Sequence, residues 1–218
     1  MRYQGVIFDL DGLLLDTERL AVASGIEALA DLGHPGVEER LMRSLIGLDL
    51  PAAIARLRGE LGATLDAEVL RRRWDDAMDR MLLTGVPTRP GAAALIDWLA
   101  GRGVPFAVAT NSRTARACHK LDHSELAGRV GTVVGFDLVV AGKPAPDVYL
   151  EAARRLGIRP DLALAFEDSD TGAAAALAAG MTVVQVPDLV ESRTRRAHYT
   201  ARSLAEGARL AGLRPDAA

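Results

Sequence analysis

Apolar runs alternate with helical stretches along most of this chain, and the alternation predicts a parallel sheet. Five short apolar runs have the composition of buried strands: residues 4–9, 105–110, 136–141, 162–167 and 182–186. Helical patterns precede or separate the later strands, at 91–101, 113–123, 146–157 and 171–180. Because parallel strands need crossover connections, this order favours an open α/β sheet. Beyond residue 188 we expect a helical, Arg-rich surface crossover with an edge strand near 198–201.

A purely helical region interrupts this alternation after the first strand. Its amphipathic segments follow one another without a strand between them, at 18–32, 38–46, 51–61 and 66–83. Short connections between them favour a small antiparallel bundle. We therefore predict an α/β core formed by residues 1–16 and 87–218, with a helical insertion of residues 17–86.

Composition and charge exclude several classes of protein. The 218 residues are 49% hydrophobic and 25% charged, as expected of a globular protein. A net charge of −3 offers no broad field for nucleic acid or an anionic membrane. No apolar stretch reaches the roughly 18 residues of a spanning helix, and residues 1–10 lack the basic region of a signal peptide. The single cysteine, Cys118, excludes an intramolecular disulfide, so a reducing cytoplasm is the expected location.

Two carboxylates, Asp9 and Asp11, come directly after the first apolar run, in the sequence VIFDLDG. A buried strand should not end in this way without a reason, because isolated buried carboxylates are costly to desolvate. A divalent cation would make the arrangement favourable, since carboxylate oxygens are ligands that suit Mg²⁺. The alternative is a strand that runs into an ordinary Asp-Gly turn.

Polar side chains also follow the later strands. Three groups are involved: Thr110-Asn111-Ser112, Lys143, and Glu167-Asp168-Ser169-Asp170. Ligands of open parallel sheets bind beyond the carboxyl ends of the strands, so these groups are expected to converge with Asp9 and Asp11. Taken singly, Thr110 could simply end a strand, and Glu167 and Asp168 could cap the next helix.

Lysine is rare in this chain. Of its 26 cationic residues only Lys120 and Lys143 are lysines, and the others are arginines. Lys143 stands in a Gly-Lys-Pro turn, which indicates that a compact ammonium group is needed there rather than the planar fork of arginine.

Four ordered motifs, FDLDGLLLDTE, VATNS, AGKPAPDVY and AFEDSDTG, resemble those of the haloacid dehalogenase-like (HAD) superfamily. The resemblance covers nearly the whole chain and points to the phosphatase and phosphomutase branch with a helical cap after the first strand. It implies a Rossmann-like open parallel sheet with helices on both faces, plus a small inserted all-helical cap. It also implies hydrolysis of a small phosphorylated metabolite, and we expect a monomer or weak dimer.

The resemblance implies roles for the residues at the strand ends. Asp9 matches the nucleophile, which forms an aspartyl-phosphate, and Asp11 matches the general acid and base. Lys143 would add positive charge against the phosphoryl oxygens, while Thr110 and the amides near Asn111 would orient them as substrate-binding groups.

The resemblance also implies a Mg²⁺ cofactor. Its ligands would be a carboxylate oxygen of Asp9, the backbone carbonyl of Asp11 and the side chain of Asp168, with phosphate and water completing an octahedron. Glu167 would help to hold either the water shell of the metal or Lys143.

Several functions compete within the superfamily. Dehalogenases lack the second aspartate, so Asp11 argues against them. A β-phosphoglucomutase-like enzyme is the serious alternative, but Ala21 and Leu50 stand where that pattern places a histidine and an arginine. Phosphatases of nucleoside or sugar monophosphates, including pseudouridine-5′-phosphate, fit the motifs, whereas a non-catalytic binding protein is disfavoured because no catalytic position is missing. We expect Glu18, Arg19 and the 48–50 turn to recognise the leaving group.

Overall fold

The computed structural model describes residues 2–46, 48, 50–62, 65–194 and 196–213. The chain divides into two compact units. The first, which we call the sheet unit, comprises Met1–Asp16 and Val86–Ala218. The second, the helical unit, comprises Thr17–Gly85.

A parallel sheet forms the centre of the sheet unit. Its strands within the described residues are β1 (Gly5–Phe8), β2 (Phe106–Thr110), β3 (Val133–Gly135), β4 (Ala163–Glu167), β5 (Thr182–Gln185) and β6 (Tyr199–Thr200). Their order across the sheet is β3-β2-β1-β4-β5-β6, and every neighbouring pair is parallel. The predicted open parallel α/β sheet is therefore confirmed, and β1 lies at its centre.

Four helices make up the described part of the helical unit: α1 (Thr17–Asp31), α2 (Glu39–Arg43), α3 (Leu50–Leu61) and α4 (Ala67–Thr84). Asp66 caps α4 by accepting hydrogen bonds from the backbone N–H groups of Glu68 and Val69. The indole of Trp74 on α4 donates a hydrogen bond to the carbonyl of Ala21 on α1 at 2.9 Å. An apolar core lies within this unit, and the side chain of Trp74 packs against it.

Four helices lie between strands of the sheet unit and a fifth follows β6: α5 (Ala92–Gly101), α6 (Thr114–Asp122), α7 (Asp147–Leu156), α8 (Asp170–Ala178) and, after β6, α9 (Leu204–Leu210), all within the described residues. The strands β1 and β4 are buried along their whole length, and the rings of Phe8 and Phe166 stack at 5.3 Å. The alanine-rich helix α8 buries Ala173, Ala175 and Ala176 in an apolar core that also contains Ile7 of β1 and Ala165 of β4. A sheet covered in this way has its backbone held rigidly, so side chains at its strand ends are well positioned.

The prediction of a strand over 136–141 is wrong, because the third strand is β3, three residues earlier. Residues Phe136–Leu138 form a turn of 3₁₀ helix instead. The carboxylate of Asp137 accepts hydrogen bonds from the backbone N–H and the hydroxyl of Thr114, at 2.7 and 2.9 Å. This contact with the start of α6 turns the chain away from the sheet, and Val140 is left fully exposed.

The prediction of a helical crossover beyond residue 188 is also wrong for the described residues before β6. The backbone N–H groups of Arg193 and Thr194 donate to the carboxylate of Asp170, at 2.9 and 3.2 Å. These contacts fix an irregular segment in place of a helix. The edge strand near 198–201 is present as β6. Among the described helices, none combines the length and apolar composition that crossing a membrane requires.

Candidate active site

The first strand delivers Asp9 and Asp11 to the carboxyl edge of the sheet. The backbone N–H of Asp9 donates to the carbonyl of Phe166, which extends the pairing of β1 with β4 by one residue. The chain then turns sharply through Gly12, whose φ of 83° is unfavourable for residues with a side chain. The turn is closed by the backbone N–H of Leu15, which donates to the carbonyl of Leu10. Asp9 is buried by this arrangement, whereas Asp11 is partly exposed.

Lys143 lies between two carboxylates. Its Nζ atom is 2.5 Å from Oδ1 of Asp9 and 2.6 Å from Oε1 of Glu167. Asn111 fixes the backbone of the same residue, because its side chain accepts from the N–H of Lys143 and donates to its carbonyl, at 2.8 and 3.1 Å. The ammonium of Lys143 is thereby held beside the proposed nucleophile by the side chain that follows β2.

Glu167 is completely buried and surrounded by hydrogen-bond donors. Besides Lys143, the hydroxyl of Tyr149 donates to Oε1 at 2.6 Å, and the hydroxyl of Ser169 donates to Oε2 at 3.2 Å. Gly172 packs so closely on this carboxylate that a Cβ atom there would overlap it. The carboxylate of Glu167 therefore holds Lys143 and the start of α8, with little capacity left for another ligand.

The buried charges shift one another's pKa values. Burial raises the pKa of Asp9 from 3.8 to about 7; the Lys143 ammonium opposes this change, and the charges of Glu167 and Asp11 add to it. Burial would lower the pKa of Lys143, but the charges of Asp9 and Glu167 outweigh it and raise this pKa above its ordinary value. One ammonium thus stays protonated between two carboxylates and cannot fully compensate both.

Sequence reasoning missed the partner of Asp11. The Nζ atom of Lys120, on α6, is 2.7 Å from Oδ1 of Asp11 and 2.9 Å from Oγ of Ser112. The hydroxyl of Ser112 in turn donates to Oδ2 of Asp11 at 2.8 Å. The rarity of lysine was a signal for Lys120, because both lysines of the chain contact aspartates of the first motif.

A cleft of about 350 Å³ opens at this edge of the sheet. Six of the seven predicted site residues line it: Asp9, Asp11, Thr110, Asn111, Lys143 and Asp168. Glu167 lies behind them, beneath Lys143. Thr110 is buried, and its hydroxyl accepts a hydrogen bond from the N–H of Ser112 at 3.0 Å. The structure therefore brings residues that follow four different strands into one polar cleft.

A divalent metal fits the residues around Asp9. Ligand atoms of Asp9, Glu167 and Asp168 all lie within 4.8 Å of one another. Since the oxygens of Glu167 already accept several hydrogen bonds, Asp9 and Asp168 are the carboxylates best placed to coordinate an ion. A cation there would also relieve the unfavourable charge that raises the pKa of Asp9.

Asp170 has a different task from its neighbours in the motif. Its carboxylate accepts hydrogen bonds from the hydroxyl of Ser192 and the amide of Gln185, at 2.6 and 3.0 Å. Burial acts to raise the pKa of Asp170, but these hydrogen bonds lower it well below the usual range. Asp170 therefore secures the segment before β6 and is not part of the cleft.

Comparison with known proteins agrees with this geometry. The model of the haloacid dehalogenase-like hydrolase family matches residues 6–186. The fructose-1-phosphate phosphatase YqaB of Escherichia coli is 38% identical over 187 residues, which cover 85% of this chain and 97% of that protein. A probable pseudouridine-5′-phosphatase of Drosophila melanogaster is 35% identical over 200 residues, covering 89% and 86%.

Solved structures of this family also resemble the chain. A HAD family hydrolase of Deinococcus radiodurans, with bound phosphate and sodium, superposes with a TM-score of 0.83 at 30% identity and covers 99% of each chain. A putative β-phosphoglucomutase of Thermotoga maritima superposes with a TM-score of 0.81 at 25% identity, covering 95% of this chain and 98% of the other. The chain belongs to the haloacid dehalogenase-like hydrolase family.

Proposed function

We propose that the protein is a Mg²⁺-dependent phosphatase that hydrolyses a small phosphorylated metabolite, a sugar phosphate or a nucleoside monophosphate. The observation that carries the proposal is the buried Asp9 carboxylate on the cleft wall, next to the ammonium of Lys143 and the carboxylate of Asp168. The arrangement supports phosphoryl transfer, which needs a nucleophile beside positive charge and a metal-binding group. The phosphatase names of the two relatives described above support the same reaction.

In the proposed reaction, a carboxylate oxygen of Asp9 attacks the phosphorus atom, and the bond from phosphorus to the leaving oxygen breaks. Lys143 offsets the negative charge of the phosphoryl group, which would otherwise repel Asp9. Asp11 gives a proton to the leaving oxygen. In the second half, Asp11 takes a proton from the attacking water, and the aspartyl-phosphate is hydrolysed to free Asp9 and phosphate.

The metal would be held by Asp9, Asp168 and the backbone carbonyl of Asp11. When bound, Mg²⁺ would neutralise phosphoryl charge and align the phosphate with the nucleophile. We assign Glu167 to the support of Lys143 rather than to the metal, because Lys143, Tyr149 and Ser169 occupy its oxygens. Thr110 and the amides near Asn111 would orient the phosphoryl oxygens.

The mutase alternative is not favoured. Relatives at 38% and 35% identity carry phosphatase names, whereas the putative phosphoglucomutase is a structural match at 25%. Ala21, where the mutase pattern has histidine, lies on α1 and carries no polar side chain. Recognition of the leaving group by Glu18 and Arg19, both on α1, stays a prediction, as does a cytoplasmic location. Gly47, Asp49 and the side chain of Leu50 lie outside the described residues.

A panel of phosphorylated metabolites, assayed for phosphate release with and without Mg²⁺, tests the proposal. We expect Mg²⁺-dependent release from sugar phosphates or nucleoside monophosphates, and a loss of at least about a thousandfold in the Asp9→Asn variant. Asp97→Asn is the matched control, since Asp97 is an exposed carboxylate paired with Arg129, and it should behave as wild type. Near wild-type release by Asp9→Asn would disprove the covalent mechanism. Efficient formation of glucose 6-phosphate from β-glucose 1-phosphate would establish the mutase instead.

A further inference from the structure

The mechanism above leaves one buried cation unused. Lys120 is almost fully buried on the inner face of α6, beside Ala117 and Leu121. It is not among the residues that line the cleft. Nevertheless its Nζ atom reaches Oδ1 of Asp11 at 2.7 Å. Lys120 therefore contacts Asp11, a residue of the cleft, from the buried face of α6.

Lys120 and Ser112 together hold the carboxylate of Asp11 through both of its oxygens. The ammonium donates to Oδ1 of Asp11, and the hydroxyl of Ser112 donates to Oδ2 at 2.8 Å. Lys120 also donates to the hydroxyl oxygen of Ser112 at 2.9 Å, so that Lys120, Ser112 and Asp11 are each hydrogen-bonded to the other two. Two separate donors on a rigid helix and strand end define the plane of the carboxylate, which a single hydrogen bond would leave free to rotate.

A buried ammonium is costly unless a partner compensates its charge. An apolar side chain would fill the same position between Ala117 and Leu121 without that cost. The chain nevertheless places one of its two lysines there, in contact with the carboxylate that transfers the proton in the proposed reaction. The placement is understandable if Lys120 acts on Asp11 during the reaction.

We propose that Lys120 is a positioning residue for Asp11, an inference that rests on the proposed phosphatase function. Lys120 and Ser112 hold the Asp11 carboxylate in one orientation toward the leaving oxygen. When Asp11 passes its proton to that oxygen, the negative charge that develops on Asp11 lies next to the ammonium of Lys120. The hydroxyl of Ser112 can accept a hydrogen bond from protonated Asp11 and donate one to the carboxylate, so it accommodates both forms.

The dependence of the rate on the leaving group tests this role. Because kcat/KM reports the steps up to phosphorylation of Asp9, it includes protonation of the leaving group but not the later attack of water. An alkyl phosphate needs that proton, whereas 2,4-dinitrophenyl phosphate has a stable leaving group that does not. In Lys120→Met, we expect kcat/KM to fall about a hundredfold for the fastest alkyl phosphate of the panel. For the dinitrophenyl ester we expect a change of less than about threefold.

A double-mutant cycle shows whether Lys120 acts through Asp11. In an Asp11→Asn background, Lys120→Met should cost less than about threefold in kcat/KM for the alkyl phosphate, since the group that Lys120 positions is already lost. Leu121→Met is the matched control: it changes the next buried residue on the same helix without touching Asp11, and it should affect both substrates little. Thermal unfolding of each variant would confirm that the fold is intact.

The outcomes separate the two proposals. Equal losses on both substrates in Lys120→Met, or full additivity with Asp11→Asn, would overturn the positioning role while leaving the phosphatase function in place. Unchanged activity of Lys120→Met on the alkyl phosphate would do the same. A wild-type protein without Mg²⁺-dependent phosphate release would overturn the proposed function, and the role of Lys120 together with it.

Discussion

Replacing Asp9 with asparagine should stabilise the metal-free protein while removing its proposed nucleophile. Burial raises the pKa of Asp9 from 3.8 to about 7, so the folded protein disfavours the charged carboxylate. Asparagine has the same shape and carries no charge, and it can still accept a hydrogen bond from Lys143. The unfavourable charge is therefore removed with little change in packing.

The size and sign of the effect follow from proton binding. The native protein keeps the Asp9 proton up to about pH 7, whereas the unfolded chain loses it near pH 3.8. The native state thus binds more protons in this range, and wild-type stability falls as pH rises through it. One unit of pKa corresponds to about 1.4 kcal/mol, so the free energy of unfolding of the wild type falls by about 4 kcal/mol in total. Between about pH 5 and pH 8 the stability gained by Asp9→Asn should grow by about 2 to 3 kcal/mol.

Urea unfolding in the presence of EDTA measures this difference directly. Wild type and Asp9→Asn are compared at about pH 5 and pH 8, with Asp97→Asn as the control for loss of a carboxylate at an exposed position. Saturating Mg²⁺ should remove most of the advantage of Asp9→Asn at pH 8, because the proposed metal would bind the native wild-type protein and favour the ionised carboxylate. A stability difference that is the same at both pH values in EDTA would refute the reasoning.

Substitutions at three further positions test individual contacts, with one glycine replacement as a control. Lys143→Arg should recover only a small part of the kcat lost in Lys143→Ala, because a planar guanidinium does not fit between Asp9 and Glu167 as an ammonium does. Asp168→Ala should raise the Mg²⁺ concentration needed for half-maximal activity at least about tenfold, and an unchanged requirement would exclude it as a ligand. Gly172→Ala should reduce both activity and unfolding temperature, since its Cβ would overlap the Glu167 carboxylate. Gly59→Ala, at an open helical position, should instead stabilise the protein by about 1 kcal/mol.

The sheet could be predicted because its central strands are marked by local patterns. Runs such as 4–9 and 162–167 are apolar throughout and stop at carboxylates, which a buried strand accommodates only at its end. The edge strand was misplaced because the apolar run at 136–141 is longer than β3. What decides the outcome there is a tertiary contact, the capping of α6 by Asp137, and no local pattern contains it.

The positions around the cleft could be predicted where they follow a strand, and not where they lie on a helix. Asp9, Thr110 and Asp168 come at strand ends, so the topology alone brings them to one edge. Lys120 lies in the middle of α6, and only its spacing from Ala117 places it on the buried face. Its partner is 109 residues away in sequence, and a contact of that kind depends on the packing of the helix against the sheet.

Both lysines of the chain contribute to the balance of charge at the cleft. Four carboxylates gather at the ends of β1 and β4: Asp9, Asp11, Glu167 and Asp168. Lys143 and Lys120 supply two compact ammonium groups, each in contact with carboxylates of this cluster. When all these groups are ionised, two negative charges remain, which is the charge that one divalent cation compensates. Without it, the excess negative charge adds to burial in raising the pKa of Asp9, so a metal bound beside this proposed nucleophile would relieve that charge.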